Sequence, residues 1–390
     1  MRDVLVVSDV HLAPLARSAG AWMAYRRPER AVDAHLAAAI DRAVTQAGGR
    51  GIDVVLGGDF LDLDAPLEDA PDLDARAEPG ALHATLATLR DHPIVFLELA
   101  RSISRGARVV FVPGNHDAQL AFPAVRLAVA QALGVPYGDD RRLRFAAWFH
   151  RVDGVHVEHG HVYDPFCTMS RLHPALDACG TARLEPTLGT VGTRAVGELL
   201  GLVNPYGSDP LKDVSGRLDR VAGSLVGSPH EDYLARSAAI VRDLAGVETD
   251  AGARAVSDDR WLRSVSGQTG ADLGKVALHR YRWASKASAG DLADAALDPA
   301  YGYDRDTDER LRGAMGWIGR LHQADVVVMG HTHRAFAERR PDGRAHANSG
   351  TWAPLERDDP RAVVGTAVRI VGNHRRQVWI ERTHRDGSVS

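Results

Sequence analysis

The sequence is poor in cysteine, lacks a long apolar run and carries no excess of either charge, and each shortage removes a class of protein. Two cysteines, Cys167 and Cys179, among 390 residues are too few for a disulfide framework. No stretch of about 20 uncharged apolar residues occurs, so no transmembrane segment is expected. The 47 Lys and Arg are nearly matched by 51 Asp and Glu, leaving a formal charge of −4. That balance gives no basic footprint for duplex nucleic acid. The chain opens on "MRDVLVVSDVHL", with no charged-then-apolar leader before the first strand-like run. A cytoplasmic protein is expected.

One local shape recurs along the chain: a short apolar run, then a polar cluster. "VLVVSDVH" ends in Asp9 and His11, and "IDVVLGGDFLD" in Asp59 and Asp62. "RVVFVPGNHD" ends in Asn115, His116 and Asp117. "GVHVEHGHVYD" ends in His159, His161 and Asp164, and "DVVVMGHTH" in His331 and His333. Runs of Val, Ile, Leu and Phe bounded by Gly or Pro read as buried strands. Between the first three lie helical patterns. "ERAVDAHLAAAIDRAVTQA" places Val32, Leu36, Ile40 and Val44 on one stripe, and "GALHATLATLRDH" does so with Leu82, Leu86 and Leu89. Strand–helix alternation predicts an α/β protein with ligands gathered at the carboxyl ends of its strands.

Each cluster alone has an ordinary explanation: a turn, a helix cap, a hairpin end. Five of them at strand ends, with the strands themselves apolar, point to metal instead. Carboxylate and amide oxygens with several imidazoles and no thiolate suit Mn²⁺, Fe or Zn²⁺. The donors are too many for one ion. Two divalent metal ions roughly 3.5–4 Å apart, bridged by one carboxylate, would use them all and would clamp an in-line attack on phosphorus.

The ordered set Asp9-Val10-His11, Gly58-Asp59-Phe60-Leu61-Asp62, Gly114-Asn115-His116-Asp117, His159-Gly160-His161 and Gly330-His331-Thr332-His333 resembles the calcineurin-like metallophosphoesterase superfamily. The resemblance covers roughly residues 1–164 and 321–381. It implies that Asp9, His11 and His333 hold one ion, that Asn115, His159 and His331 hold the other, and that Asp59 bridges them. It implies a hydroxide between the ions as nucleophile and Mn²⁺ as the first choice of metal, with Fe and Zn²⁺ as the others. His116 would face the phosphate and protonate the leaving oxygen, and Asp117 would orient its ring. Asp62, His161 and Asp164 would support the ligands or meet substrate. "NSGTW", Asn348–Trp352, also resembles a stretch of this superfamily and is expected to support the site.

With that resemblance, the expected fold is a four-layer α/β/β/α sandwich with a large inserted helical cap. Residues 1–164 and 321–390 would form the core and residues 165–320 the insert. In the insert, Leu211, Val214, Leu218, Val221 and Leu225 have helical spacing. "TVGTRAVGELLGLV" reads as a tightly packed helix or as a wall for an apolar ligand, and "VALHRYRWASK" as an exposed amphipathic helix or as a contact for a phosphate and a ring. The acidic stretch "DLDAPLEDAPDLDARAEP" reads as a mobile loop near the site. Four C-terminal strands are expected in "AFAERR", "AHANSG", "AVVGTAVRIV" and "RQVWIER". The expected activity is phosphoester hydrolysis of a small-molecule or lipid-linked substrate. A nucleotide- or lipid-linked pyrophosphatase is the alternative. A non-catalytic module on the same fold is a third reading, disfavoured because no ligand is missing.

Overall fold

The computed structural model of the chain describes residues 1–16, 26–28, 31–65, 67, 69–70, 72–136, 138–139, 141–164, 167, 174–176, 180–184, 187, 303–353, 362–372 and 376–390. The stretches of the insert singled out above, and Cys179, lie outside the described residues.

Two sheets face each other. The first has the order β13-β12-β1-β2-β3-β4. Its strands are β1 (Asp3–Val7), β2 (Ile52–Gly57), β3 (Arg108–Val112), β4 (Leu143–Phe145), β12 (Val363–Val371) and β13 (Gln377–His384). Strands β1 to β4 run parallel, and β12 and β13 join antiparallel. The second sheet has the order β10-β11-β9-β6-β5. It contains β5 (Phe149–Val152), β6 (Val155–Glu158), β9 (Val326–Met329), β10 (Phe336–Arg339) and β11 (Ala345–Asn348). A small hairpin, β7 (Ala175–Leu176) and β8 (Ala182–Arg183), lies apart from both. All four C-terminal strands fall where the sequence predicts them.

Period-two alternation divides the strand side chains between three apolar clusters. Val4, Val6, Val55, Val110, Val155, Val157, Val326, Val328 and Val368 meet between the sheets. The alternate residues Leu5, Val7, Val54, Leu56, Val109 and Phe111 face α1 (Asp33–Ala47), α2 (Glu78–Asp91), α3 (Pro93–Ser104) and α4 (Pro123–Ala132). On the far side, Phe149, Val327 and Met329 pack under α5 (Tyr303–Leu321), which contributes Leu311, Ala314, Met315 and Ile318. The layers are therefore helix, sheet, sheet, helix, as predicted. Strands buried on both faces explain why β1, β2 and β9 read as continuous apolar runs.

Helix α1 buries Leu36, Ile40 and Val44 as its stripe predicts. Helix α2 follows its leucines only in part, with Leu89 packed against the core. Leu86 is exposed, and the buried face is Gly80, Ala81, Ala84, Thr85, Ala87 and Thr88. Small residues let α2 lie close against its neighbours. A side chain at position 80 would run into the Asp74–Ala75 backbone. Thr85 and Thr88 bury their hydroxyls by donating to the carbonyls of Ala81 and Ala84. The acidic stretch after Asp62 is also more packed than its composition suggests, with Asp64, Ala75, Arg76 and Ala77 all buried. Among the described residues no helix is long and apolar enough to cross a membrane.

Candidate metal centre

Each polar cluster follows a strand, and the backbone is distorted where it does so. Seven described non-glycine residues have positive φ, and five are Asp9, His11, Asp59, His331 and His333. A left-handed backbone costs a non-glycine residue on the order of 1–3 kcal/mol and persists only where the surroundings impose it. Here the distortion turns side chains from three different loops toward one point.

The first group is Asp9, His11 and His333, whose donor atoms all lie within 4.8 Å of one another. His11 Nε2 and His333 Nε2 are 3.4 Å apart, and His333 Nε2 is 3.2 Å from Asp9 Oδ1. The second group is Asp59, His159 and His331, within the same limit. His159 Nε2 is 3.1 Å from Asp59 Oδ2 and 3.9 Å from Asp9 Oδ1, so the two groups adjoin. Asn115 Oδ1 is buried and accepts no hydrogen bond from the described residues. An amide oxygen left bare in the interior costs free energy unless something positive meets it. The next amide in the chain, that of His116, donates to Asp59, so a bare amide oxygen in this segment fits a cation.

The surrounding contacts fix which atom each ligand presents. His159 Nδ1 is 3.2 Å from the Gly57 carbonyl, which leaves Nε2 for the cluster. His331 Nε2 is 2.8 Å from Asp164 Oδ2, which leaves Nδ1. Imidazole ligands commonly use their second nitrogen in this way. Asp9 is held by the Ser8 hydroxyl and by the His331 amide, which donates at 3.0 Å. Asp59 Oδ1 accepts from the His116 amide at 2.7 Å. The glycines are cut to the same shape. A Cβ on Gly114 would come within 2.6 Å of Asp59 N, and one on Gly58 within 2.6 Å of His159 Nδ1. Asn348–Trp352 braces the loops from behind. Asn348 donates to the Gly330 carbonyl at 2.6 Å, and the Thr351 hydroxyl donates to the Asp9 carbonyl at 2.8 Å.

Electrostatics separates the imidazoles. Burial pushes His11 down to about 3. Burial opposes charging His159 and His116 as well, but Asp59 and the neighbouring carboxylates outweigh it and push both up to about 9. Burial raises Asp59, yet His159 and His116 hold it well below the usual carboxylate range. The carboxylates therefore favour the charged form of His159 and His116 but not of His11.

The residues expected to work on substrate occupy the same pocket. His116 is buried, with its ring 5.1 Å from that of His11, edge to face. A carboxylate set against it is Asp62, 3.4 Å from His116 Nδ1. Asp117 instead accepts from the backbone amides of Gly114 at 2.6 Å and Phe60 at 2.9 Å. It ties two ligand loops together. Burial and the Asp59 charge push it up to about 7. His161 is buried, its ring 5.4 Å from that of His159. Sequence reasoning passed over Asp64, which lies 4.0 Å from His116 Nδ1, and Ser8, which anchors Asp9. Only an acidic loop and a strand-end serine signalled them. Histidines that sequence reasoning left out of the site have other partners: His92 pairs with Asp33 at 3.0 Å and His150 with Asp53 at 3.3 Å.

Residues 2–178 match the family model described as calcineurin-like phosphoesterase. No curated protein matched the chain.

Proposed function

With residues 2–178 forming a calcineurin-like phosphoesterase domain as the premise, we propose that this protein hydrolyses a phosphoester bond with two divalent metal ions. The single observation that carries this reading is the pair of adjoining donor groups, Asp9–His11–His333 and Asp59–His159–His331. Asn115 would complete the second group, and Asp59 would be the carboxylate shared by both ions. The donors are oxygens and imidazoles, which suit Mn²⁺, Fe or Zn²⁺, and the resemblance to the family makes Mn²⁺ the first choice. When bound, the ions supply Lewis-acid polarisation of the phosphoryl oxygens and a water acidified for attack.

The remaining steps belong to the chain. His116 presents Nδ1 to Asp62, so we assign the opposite nitrogen, Nε2, to the leaving oxygen. Protonated there, it neutralises charge developing on phosphorus and passes its proton to the departing oxygen. Asp62 holds the ring in that orientation. Asp117, bonded to the Gly114 and Phe60 amides, keeps the Asn115 and Asp59 loops in register. Asp164 and the Gly57 carbonyl hold His331 and His159 at their rear nitrogens.

The experiment is a screen of phosphomonoesters, diesters and pyrophosphates with the purified chain, with and without added Mn²⁺. Metal-dependent cleavage of any one class supports the reading. A metal-loaded, folded chain that cleaves none of them overturns it.

A further inference from the structure

Behind His116 lies a buried assembly that the ligand groups do not use. His116 Nδ1 is 3.4 Å from Asp62 Oδ1 and 4.0 Å from Asp64 Oδ2. Asp64 is held from two sides. Gln119 Nε2 donates to its Oδ1 at 2.6 Å, and the Arg76 guanidinium pairs with its Oδ2. Asp62, Asp64, Arg76, Gln119 and His116 are all buried. A carboxylate this deep needs a countercharge and filled lone pairs. Arg76 and Gln119 supply them, so Asp64 stands beside the imidazole without adding an uncompensated charge.

Arg76 is itself fixed. Its amide donates to Asp74 Oδ1 at 2.9 Å, and its carbonyl accepts from the Leu184 amide at 2.9 Å. The loop also grips the His116 backbone, because the Leu63 amide donates to the His116 carbonyl at 3.0 Å. One carboxylate at 3.4 Å is a loose constraint on an imidazole, whose second torsion is intrinsically broad. A second carboxylate on the same edge narrows it.

We propose that Asp64, braced by Arg76 and Gln119, is a positioning residue for His116 and with Asp62 sets the plane in which the ring presents Nε2 to the cleft. This rests on the proposed role of His116 at the leaving oxygen. Misplacing a reacting group by about 1 Å costs on the order of 10²-fold in rate. A loosened rather than displaced ring loses less, about tenfold.

The test uses the full metal-loaded chain and two diesters, one with a p-nitrophenolate leaving group and one with an alkoxide. Asp64→Asn is expected to lower kcat about tenfold on the alkyl diester and less than about twofold on the p-nitrophenyl diester, with KM unchanged. Arg76→Met should behave alike, and Arg76→Lys should recover most of the loss. Asp64→Asn placed on His116→Ala should add nothing, because the brace acts only through that ring. Equal losses on both substrates, or additive losses in the double variant, overturn the proposal. Should Asp64→Asn fail to fold, Gln119→Met removes the 2.6 Å bond without stranding a buried charge and carries the same expectations.

A readout independent of turnover separates this inference from the proposed function. In metal-free chain with ¹⁵N-labelled histidine, the ring signals lost in His116→Ala identify His116. Asp64→Asn or Gln119→Met must shift those signals and leave His92, paired with Asp33, unmoved. Unmoved His116 signals overturn the brace whatever the activity. Shifted signals in a chain that cleaves no phosphoester leave the brace standing and refute the function.

Discussion

Gly114→Ala tests the site without replacing any side chain that would hold metal. The methyl group would arrive within 2.6 Å of Asp59 N and 2.8 Å of Asp59 Cγ, where Cβ atoms essentially never come under 3.0 Å. Its nearest neighbour is the Asp59 carboxylate itself. Either Asp59 or the Gly114 loop must retreat by on the order of 0.5 Å, whereas metal–ligand distances tolerate only about ±0.2 Å. Neither side yields easily. Asp59 is pinned by the His116 amide at 2.7 Å, and the Gly114 amide donates to Asp117 at 2.6 Å. Overpacking a tight site costs about 1–3 kcal/mol. If that strain is released by loss of one metal–ligand bond, affinity falls by roughly 10- to 100-fold, since about 1.4 kcal/mol is a factor of ten. The assay is metal titration by calorimetry, beside melting of the metal-free chain. Gly49→Ala, whose Cβ meets nothing within 4 Å, is the control. A folded Gly114→Ala protein with wild-type metal affinity would refute the bridging role of Asp59.

Elemental analysis of active protein should find about two divalent ions per chain, and Asp59→Asn should reduce occupancy of both sites. At most one ion in fully active protein would show that Asp59 bridges nothing. His116→Ala should keep both metals and lower turnover by about 10²–10⁴, the usual scale for a lost general acid, with the smaller defect on p-nitrophenyl substrates. Loss of metal in that variant would make His116 a ligand. Stability should also fall with rising pH through His92. Burial lowers that imidazole, but the hydrogen bond and charge of Asp33 overcome it and leave it raised above 6.5. Its stabilisation is therefore complete below pH 6.5 and disappears as pH climbs through the folded-state value. Asp33→Asn should cost about 1.5–3 kcal/mol at pH 6, the range for a hydrogen bond to a charged group, and less at pH 9. A denaturation penalty that does not change with pH would refute the charged pair.

The strands and the donor residues were legible because both follow short-range rules. Buried parallel strands write themselves as Val-rich runs, and ligands cluster where those runs end. Val326–Met329 followed by His331 and His333 shows both at once. Helix α2 was misread in part, because hydrophobicity alone favours Leu82, Leu86 and Leu89, whereas close helix packing selects Gly80, Ala81 and Ala84. The pairing of His116 with Asp62 was also not foreseen. Asp117 adjoins it in sequence, but adjacency along a turn does not aim one side chain at the next. Asp62 reaches the ring from another loop. The left-handed backbone at Asp9, Asp59 and His331 left only a weak mark in the sequence, since Asp and His adopt it more often than most residues but far less readily than glycine. Only the assembled site imposes it.

The ends of the insert carry the last prediction. Sequence alone puts its limits at 165 and 320. The described residues inside those limits are attached to the core at both ends. Leu184 buries its side chain among the apolar residues of the first sheet, and its amide bonds to the Arg76 carbonyl. Helix α5 covers the outer face of the second sheet, with Leu311, Ala314, Met315 and Ile318 buried there. Arg312 stacks 3.8 Å over Phe336, and Asp308 pairs with Arg334 at 3.3 Å, beside His333. Burying a Leu, Met or Ile side chain contributes about 1.5–3 kcal/mol. Removing three of them is comparable with the entire stability of a typical domain, about 5–15 kcal/mol. We therefore expect a short linker in place of 188–302 to leave a chain that folds, binds metal and cleaves a small diester. The same linker in place of 165–320 should give aggregated or unfolded protein, because the second sheet would lose its covering helix. Expression, melting temperature and metal affinity of the two deletions decide the matter. If the larger deletion melts where the smaller one does, α5 belongs to the insert and not to the core.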